Sequence, residues 1–152
     1  MNKETSLVVG TFDILHRGHI ELFKFAASIS NFVICATDSD RLVKIKKGET
    51  RPFNKQNDRI EMLRSIKYIN DVVIFDTDEE LASICWSILP DYRIIGSDYK
   101  NKEIIGKEFI KNQVIYFDRI PGYSTTDILN NKKQPNEKSL ENNRADTISN
   151  ER

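Results

Sequence analysis

Leu7-Val8-Val9-Gly10-Thr11-Phe12-Asp13-Ile14-Leu15-His16-Arg17-Gly18-His19 runs from a short apolar stretch, through a glycine turn, to a second glycine at the head of a helical pattern. The three leading apolar residues, two of them β-branched, read as a strand buried on both faces. Beyond Gly18, Ile20, Phe23, Ala27 and Ser30 recur near helical spacing, and Leu22 and Ala26 widen that stripe. A buried strand turning through glycine into an amphipathic helix is the start of a strand–helix–strand unit.

The alternation continues down the chain. Phe32-Val33-Ile34-Cys35-Ala36-Thr37 reads as a second strand, and residues 55–67 as a helix built on Ile60, Met62, Leu63 and Ile66. Val72-Val73-Ile74-Phe75 is a third strand, and residues 79–89 form a helix stopped by Pro90. Arg93-Ile94-Ile95 and Val114-Ile115-Tyr116-Phe117 are the fourth and fifth strands, and a last helix begins over 124–130. This order predicts a single α/β domain, a doubly wound, Rossmann-like parallel sheet of about five strands. In such a sheet ligands bind beyond the carboxyl ends of the strands. The loops after Val9, Thr37, Ile95 and Phe117 therefore share one edge. The domain is expected over 1–131. Residues 132–152 hold little large apolar surface beyond Leu140 and Ile148, and that composition predicts a disordered polar tail.

A chain of 152 residues with 39% hydrophobic content can bury one sizeable core. The 23 basic residues balance 23 acidic ones. That balance argues against nucleic acid as a partner, since such binders carry a basic excess. Cys35 and Cys85 lie inside apolar runs and read as buried thiols. No apolar run approaches the ~20 residues of a membrane span, and Met1-Asn2-Lys3-Glu4-Thr5-Ser6 does not open a signal peptide. The expected setting is the cytoplasm, with no membrane partner.

Both histidines of the chain, His16 and His19, fall in one turn at the first helix start. Glycine there lets the backbone approach a ligand. The helix N-terminus offers free N–H groups and partial positive charge to a phosphate, and two imidazoles can donate to its oxygens. A phosphate nucleophile is already ionised, so transfer between phosphates needs charge stabilisation more than a strong base. Histidines that merely start a helix are the plain alternative, and their confinement to this one turn weighs against it.

Three further segments and two aspartates each admit two readings. Lys44-Ile45-Lys46-Lys47-Gly48-Glu49-Thr50-Arg51-Pro52 is either a mobile basic lid over a triphosphate or a solvated loop. In Gly96-Ser97-Asp98-Tyr99-Lys100, Asp98 can accept from a sugar hydroxyl or a ribose, yet by composition alone an ordinary turn is the stronger reading. Ser124, with Asp127 three residues on, makes a capping-box-like helix start. The run Ser124-Thr125-Thr126 after Gly122 also makes a phosphate cradle. Asp13 either orients the histidines and helps hold Mg²⁺ through water, or caps a turn. Asp38 follows the second strand, at the binding edge. No Cys/His cluster has structural-zinc spacing.

The segment Gly10 to His19 resembles the His-x-Gly-His signature of the cytidylyltransferase-like nucleotidyltransferases. That family includes glycerol-3-phosphate cytidylyltransferases and the adenylyltransferase domain of bifunctional ADP-heptose synthases. The resemblance spans roughly residues 6–130 and carries several motifs in order. Lys47 to Pro52 matches a Lys-Gly-x-x-Arg-Pro loop, and Gly122 to Thr126 matches Gly-x-Ser-Thr-Thr. Residues 96–100 are similar to the heptose-type Gly-Gly-Asp-Tyr-Lys loop, with Ser97 in place of the second glycine.

The resemblance implies catalysis by His16, His19 and Lys47. It implies nucleotide binding by Gly10, Thr11, Phe12, Asp13, Gly18, Asp38, Gly96, Arg119, Ser124, Thr125 and Thr126. Contacts to the substrate phosphate would come from Lys44, Lys46, Arg51, Arg59 and Asp98. The implied reaction moves a nucleotidyl group from an NTP to a sugar or polyol phosphate and releases pyrophosphate. The first choice is ATP with D-glycero-D-manno-heptose 1-phosphate, giving ADP-heptose. Mg²⁺ is expected mainly on the NTP phosphates, with no protein metal site, and relatives are often homodimers. The alternatives are CTP with glycerol 3-phosphate, which Asp127 disfavours because those enzymes tend to carry lysine there, and a non-catalytic nucleotide-binding domain on the same fold.

Overall fold

The apolar runs become five parallel strands: β1 Thr5–Gly10, β2 Phe32–Asp38, β3 Asp71–Phe75, β4 Tyr92–Gly96 and β5 Gln113–Phe117. The structure, a computed structural model, describes residues 3–130; the expected polar tail, 132–152, lies outside the described residues. The strands pair in the order β3-β2-β1-β4-β5. The chain winds outward from β1 to β3, crosses back, and continues through β4 to β5. Strand order therefore reverses between β1 and β4, where a crevice forms at the carboxyl edge of a doubly wound sheet. Registers of Val8 with Ile94, Gly10 with Thr37 and Gly96 with Phe117 bring the strand ends level there.

Helices cover both faces. On one, α1 Arg17–Ile29 and α3 Gln56–Arg64 bury Phe23, Ala26 and Leu63 against Val8, Val33, Ile94 and Ile115. On the other, α2 Asp40–Lys47 and α4 Asp78–Ile88 bury Leu42, Leu81 and Cys85 against Leu7, Ile34, Ala36 and Phe75. Alternate residues of one strand thus feed two cores, the reason these strands read as continuous apolar runs. Cys35 and Cys85 are both buried and unpaired with each other. A short helix, α5 Thr125–Leu129, closes the described chain. None of the helices of the described residues is long and apolar enough to cross a membrane.

The lysine segment departs from its expected form. Lys44, Lys46 and Lys47 are in the last turn of α2, and the loop begins only at Gly48. Ser39 starts this helix by accepting from the Leu42 N–H at 3.1 Å, and Gly48 ends it at φ 103°. Only Leu42 and Val43 are buried along it, too few for a legible apolar stripe. Helix α3 also stops at Arg64, three residues short of the expected end.

Candidate active site

The first histidine caps its own helix. His16 has extended backbone ahead of Arg17, and its N–H donates to Nδ1 of His19 at 3.3 Å. An Nδ1 that accepts must be unprotonated, so a neutral His19 carries its proton on Nε2 as a donor. The two rings stack with centroids 3.8 Å apart. Phe12, at the left-handed φ of 50°, holds this pair from below: its ring meets His19 edge-on at 5.3 Å and packs on Phe23 at 5.0 Å. Gly10 leaves room for that ring, since a Cβ there would lie 2.9 Å from it. A Cβ on Gly18 would likewise lie 2.9 Å from the His16 ring and 3.2 Å from Cβ of Tyr123. Both glycines of the motif are thus needed for close packing.

Burial lowers the pKa of both imidazoles. For His19 the fall is to about 3, with further contributions from the charges of His16, Lys47 and Arg119. For His16, burial is joined by Arg119. Both are therefore neutral donors at pH 7. Lys47 reaches solvent, yet the cleft wall and the Arg51 charge lower its ammonium pKa as well.

These residues line a cleft of about 300 Å³ at the β1/β4 switch point, with Gly10, Thr11, Gly96, Asp98, Arg119, Thr125 and Thr126 among its walls. Arg119 reaches Asp98 across the mouth at 3.4 Å. Ser124 also borders the cleft, but its hydroxyl is engaged. It donates to Oδ2 of Asp127 at 2.8 Å and accepts the Asp127 N–H at 3.0 Å. Asp127 thus turns back onto its own helix start. Tyr123, which sequence reasoning passed over, is buried with its ring 6.4 Å from that of His16.

A second cleft, of about 510 Å³, opens on the α2/α4 side of the sheet. Val9, Gly10, Thr11, Lys47, Ile95 and Tyr99 line both clefts. The end of β1 and Lys47 therefore form the divide between them. Lys46 stands at the second mouth, 3.4 Å from Asp78 and 3.8 Å from Asp38. Arg93 lines it from within β4 and is only 3% exposed. Sequence reasoning missed Arg93 too, although an arginine in an otherwise apolar strand is a visible signal. Lys44 lines neither cleft.

Two expected ligand contacts are internal. Arg59, expected at the substrate phosphate, has no exposed surface. Its guanidinium donates to the carbonyls of Thr11, Asp38 and Asn54, to Oγ1 of Thr37 and to Oδ1 of Asp40, at 2.9–3.1 Å. The group lies under the cleft floor and fixes the ends of β1 and β2, because a buried guanidinium must satisfy its donors. Asp13 is 2% exposed and accepts from Nε of Arg51 and from the N–H groups of Phe53 and Asn54, at 2.7–2.9 Å. Burial alone would raise its pKa; those two N–H groups and Arg51 overcome this and hold it below the ordinary carboxylate value. Asp13 thus clamps the loop after Gly48 onto the histidine turn, and Arg51 is its partner. Among the described residues no cluster of three His, Cys, Asp or Glu side chains is placed to hold a metal. Both carboxylate oxygens of Asp13 are taken up by Arg51, Phe53 and Asn54.

A crevice at the switch point of a doubly wound sheet, with paired histidines at a helix start, is where an α/β domain of this kind takes its ligand. The chain belongs to the cytidylyltransferase-like family, which it matches over residues 7–131. It is 41% identical over 124 residues to the bifunctional protein HldE of Campylobacter fetus, covering 82% of this chain and 27% of that protein. With the HldE of Helicobacter pylori strain Shi470 it shares 38% over 126 residues, again 82% of this chain and 27% of the relative. The chain thus spans about a quarter of the length of these curated relatives. A solved lipopolysaccharide core biosynthesis protein from Thermoplasma volcanium shares the fold, with a TM-score of 0.66 at 20% identity over 81% of this chain and all of that one.

Proposed function

We propose that this domain is a nucleotidyltransferase that joins an NTP to a sugar phosphate and releases pyrophosphate. The NTP occupies the histidine cleft and the acceptor the second cleft. The two substrates then meet across Gly10, Thr11 and Lys47. An acceptor phosphate oxygen attacks the α-phosphorus, a P–O bond forms there, and the bond to the bridging oxygen of the β-phosphate breaks. Pyrophosphate leaves with that oxygen and its electron pair.

The observation that carries this reading is the stacked, neutral His16–His19 pair at the end of β1, within the field of Lys47 and Arg119. An Nε2–H from His19, with its orientation fixed by the His16 N–H, can stabilise the charge of a five-coordinate phosphorus without taking up a proton. Lys47 adds positive charge from the shared wall. Mg²⁺ would arrive on the NTP phosphates, and no step here depends on it.

The specific acceptor we favour is heptose 1-phosphate with ATP, in the cytoplasm. The similarity to HldE proteins supports it, as does Asp127, whose carboxylate replaces the lysine of the glycerol-phosphate enzymes. The test is a matrix of four NTPs against sugar and polyol phosphates, read as pyrophosphate, followed by ATP and CTP in competition. ADP-sugar as the dominant product is expected. Dominant CDP product would overturn the heptose reading, and no pyrophosphate from any pair would overturn catalysis altogether.

A further inference from the structure

Arg93 is a buried cation without an anion. It sits in β4 with its Cα opposite Leu7 of β1 and Val114 of β5. On the α2/α4 face its Nη1 reaches Sγ of Cys85 at 3.6 Å and the Ile105 carbonyl at 3.5 Å. Both contacts are long and neutral. Its Nε is buried with no hydrogen-bond partner. None of the carboxylates of the described residues forms an ion pair with it. Burial lowers its pKa, and only the Cys85 sulfur opposes that.

The contrast with Arg59 is informative. Both guanidiniums are buried, but Arg59 has carbonyl, hydroxyl and carboxylate partners on every side. Arg93 keeps one edge, Nε with Nη2, without any partner among the described residues. Nε is sealed from solvent, so Nη2 is the donor left to meet a carboxylate or phosphate oxygen in a charge-assisted hydrogen bond. An uncompensated buried charge is costly to a fold. Arg93 lines the second cleft, so the missing counter-charge can come from a ligand there.

Position decides which part of the ligand. Leu7, opposite Arg93, lies three residues before Gly10, or about 10 Å along the strand at ~3.3 Å per residue. The reacting phosphate belongs at the divide by Gly10 and Lys47. A group bound deeper in the cleft is the far end of the acceptor, roughly one sugar length away.

We infer that Arg93 is an acceptor-specificity residue that binds a second acidic group, a phosphate or carboxylate, at the end of the sugar remote from the reacting phosphate. This rests on the reading of the second cleft as the acceptor site. A heptose 1-phosphate with a second acid at its far end should bind better than one ending in hydroxyls.

The test measures binding by calorimetry, without turnover, on the full chain. Mannose 1-phosphate is compared with mannose 1,6-bisphosphate and with mannuronic acid 1-phosphate, so that the two acids are told apart. At least one doubly acidic sugar should bind about tenfold tighter or more. Arg93→Met should erase that difference and Arg93→Lys should keep part of it. The melting temperature of Arg93→Met should not fall, since no strong partner is lost. Equal affinities in the wild-type chain, or no measurable binding of either doubly acidic sugar at millimolar concentration, would overturn the inference. So would a preference that survives in Arg93→Met. If Arg93→Met does not fold, the arginine is structural and the inference falls, unless Arg93→Lys folds with a reduced preference. The pyrophosphate matrix reports on the parent reading separately: turnover without the preference sinks only the role of Arg93, and the preference without turnover sinks only the transferase.

Discussion

Arg59 and His19 are both largely buried beside the same loop, and they do opposite things. The five hydrogen bonds of Arg59 tie Thr11, Thr37, Asp38, Asp40 and Asn54 together, so its worth lies in the folded state. Arg59→Ala strands those acceptors and should cost about 3–5 kcal/mol, read as a large drop in melting temperature. A folded Arg59→Ala with a native melting temperature and only weaker acceptor binding would return Arg59 to the substrate phosphate. His19 keeps an Nε2–H aimed away from its one backbone partner. His19→Ala, and equally His16→Ala, should lower turnover by ~100-fold or more with smaller effects on nucleotide affinity, because the charge they stabilise develops in the transition state. Near-normal turnover in both variants would end the proposed mechanism.

At the scale of elements, the start of α1 shows how one helix serves stability and chemistry through different atoms. Gly18 has no positive φ to explain it; it is glycine because the His16 ring and Tyr123 take the space of a Cβ. Gly18→Ala gains helix propensity of about 1 kcal/mol, but pushes the imidazole from its place. The expected result is a melting temperature near the native one with turnover down about tenfold or more. Turnover at the native level would mean that the His16 ring position is not critical. Helix α2 shows the reverse. Its four basic residues among eight read as a loop, and its existence depends on contacts its own sequence does not advertise. Asp40, its first residue, is held by Arg59 at 3.0 Å and by the Gln56 N–H at 2.8 Å.

Over the whole molecule, the burial of uncharged imidazoles beside ionised carboxylates sets a dependence on pH. The folded pKa of His19 is about 3 and that of His16 is below 6.5, the ordinary value. As pH falls below 6.5 the unfolded chain takes up protons that the folded chain refuses, so stability declines. Asp13, with its folded pKa under 3.8, adds stability above that value that is lost as pH falls through its folded pKa. Melting temperature should therefore fall steadily between pH 6.5 and 3.8, and His19→Gln should flatten that decline. A flat wild-type curve over this range would contradict neutral burial of the histidines.

The amino-acid sequence by itself determined the five strands, their parallel winding and the glycine–histidine turn, because burial on both faces writes itself as local apolar runs. It did not carry the partners of the buried charges. Asp13 meets Arg51 across 38 positions, and Arg59 meets Thr11 across 48. A charge looks the same in sequence whether it faces solvent, a carboxylate or a carbonyl. Only the packed sheet decided that Arg59 is sealed beneath the cleft, that Asp13 holds a loop, and that Arg93 is buried without a counter-charge, since desolvation and pairing arise when distant segments close around a side chain.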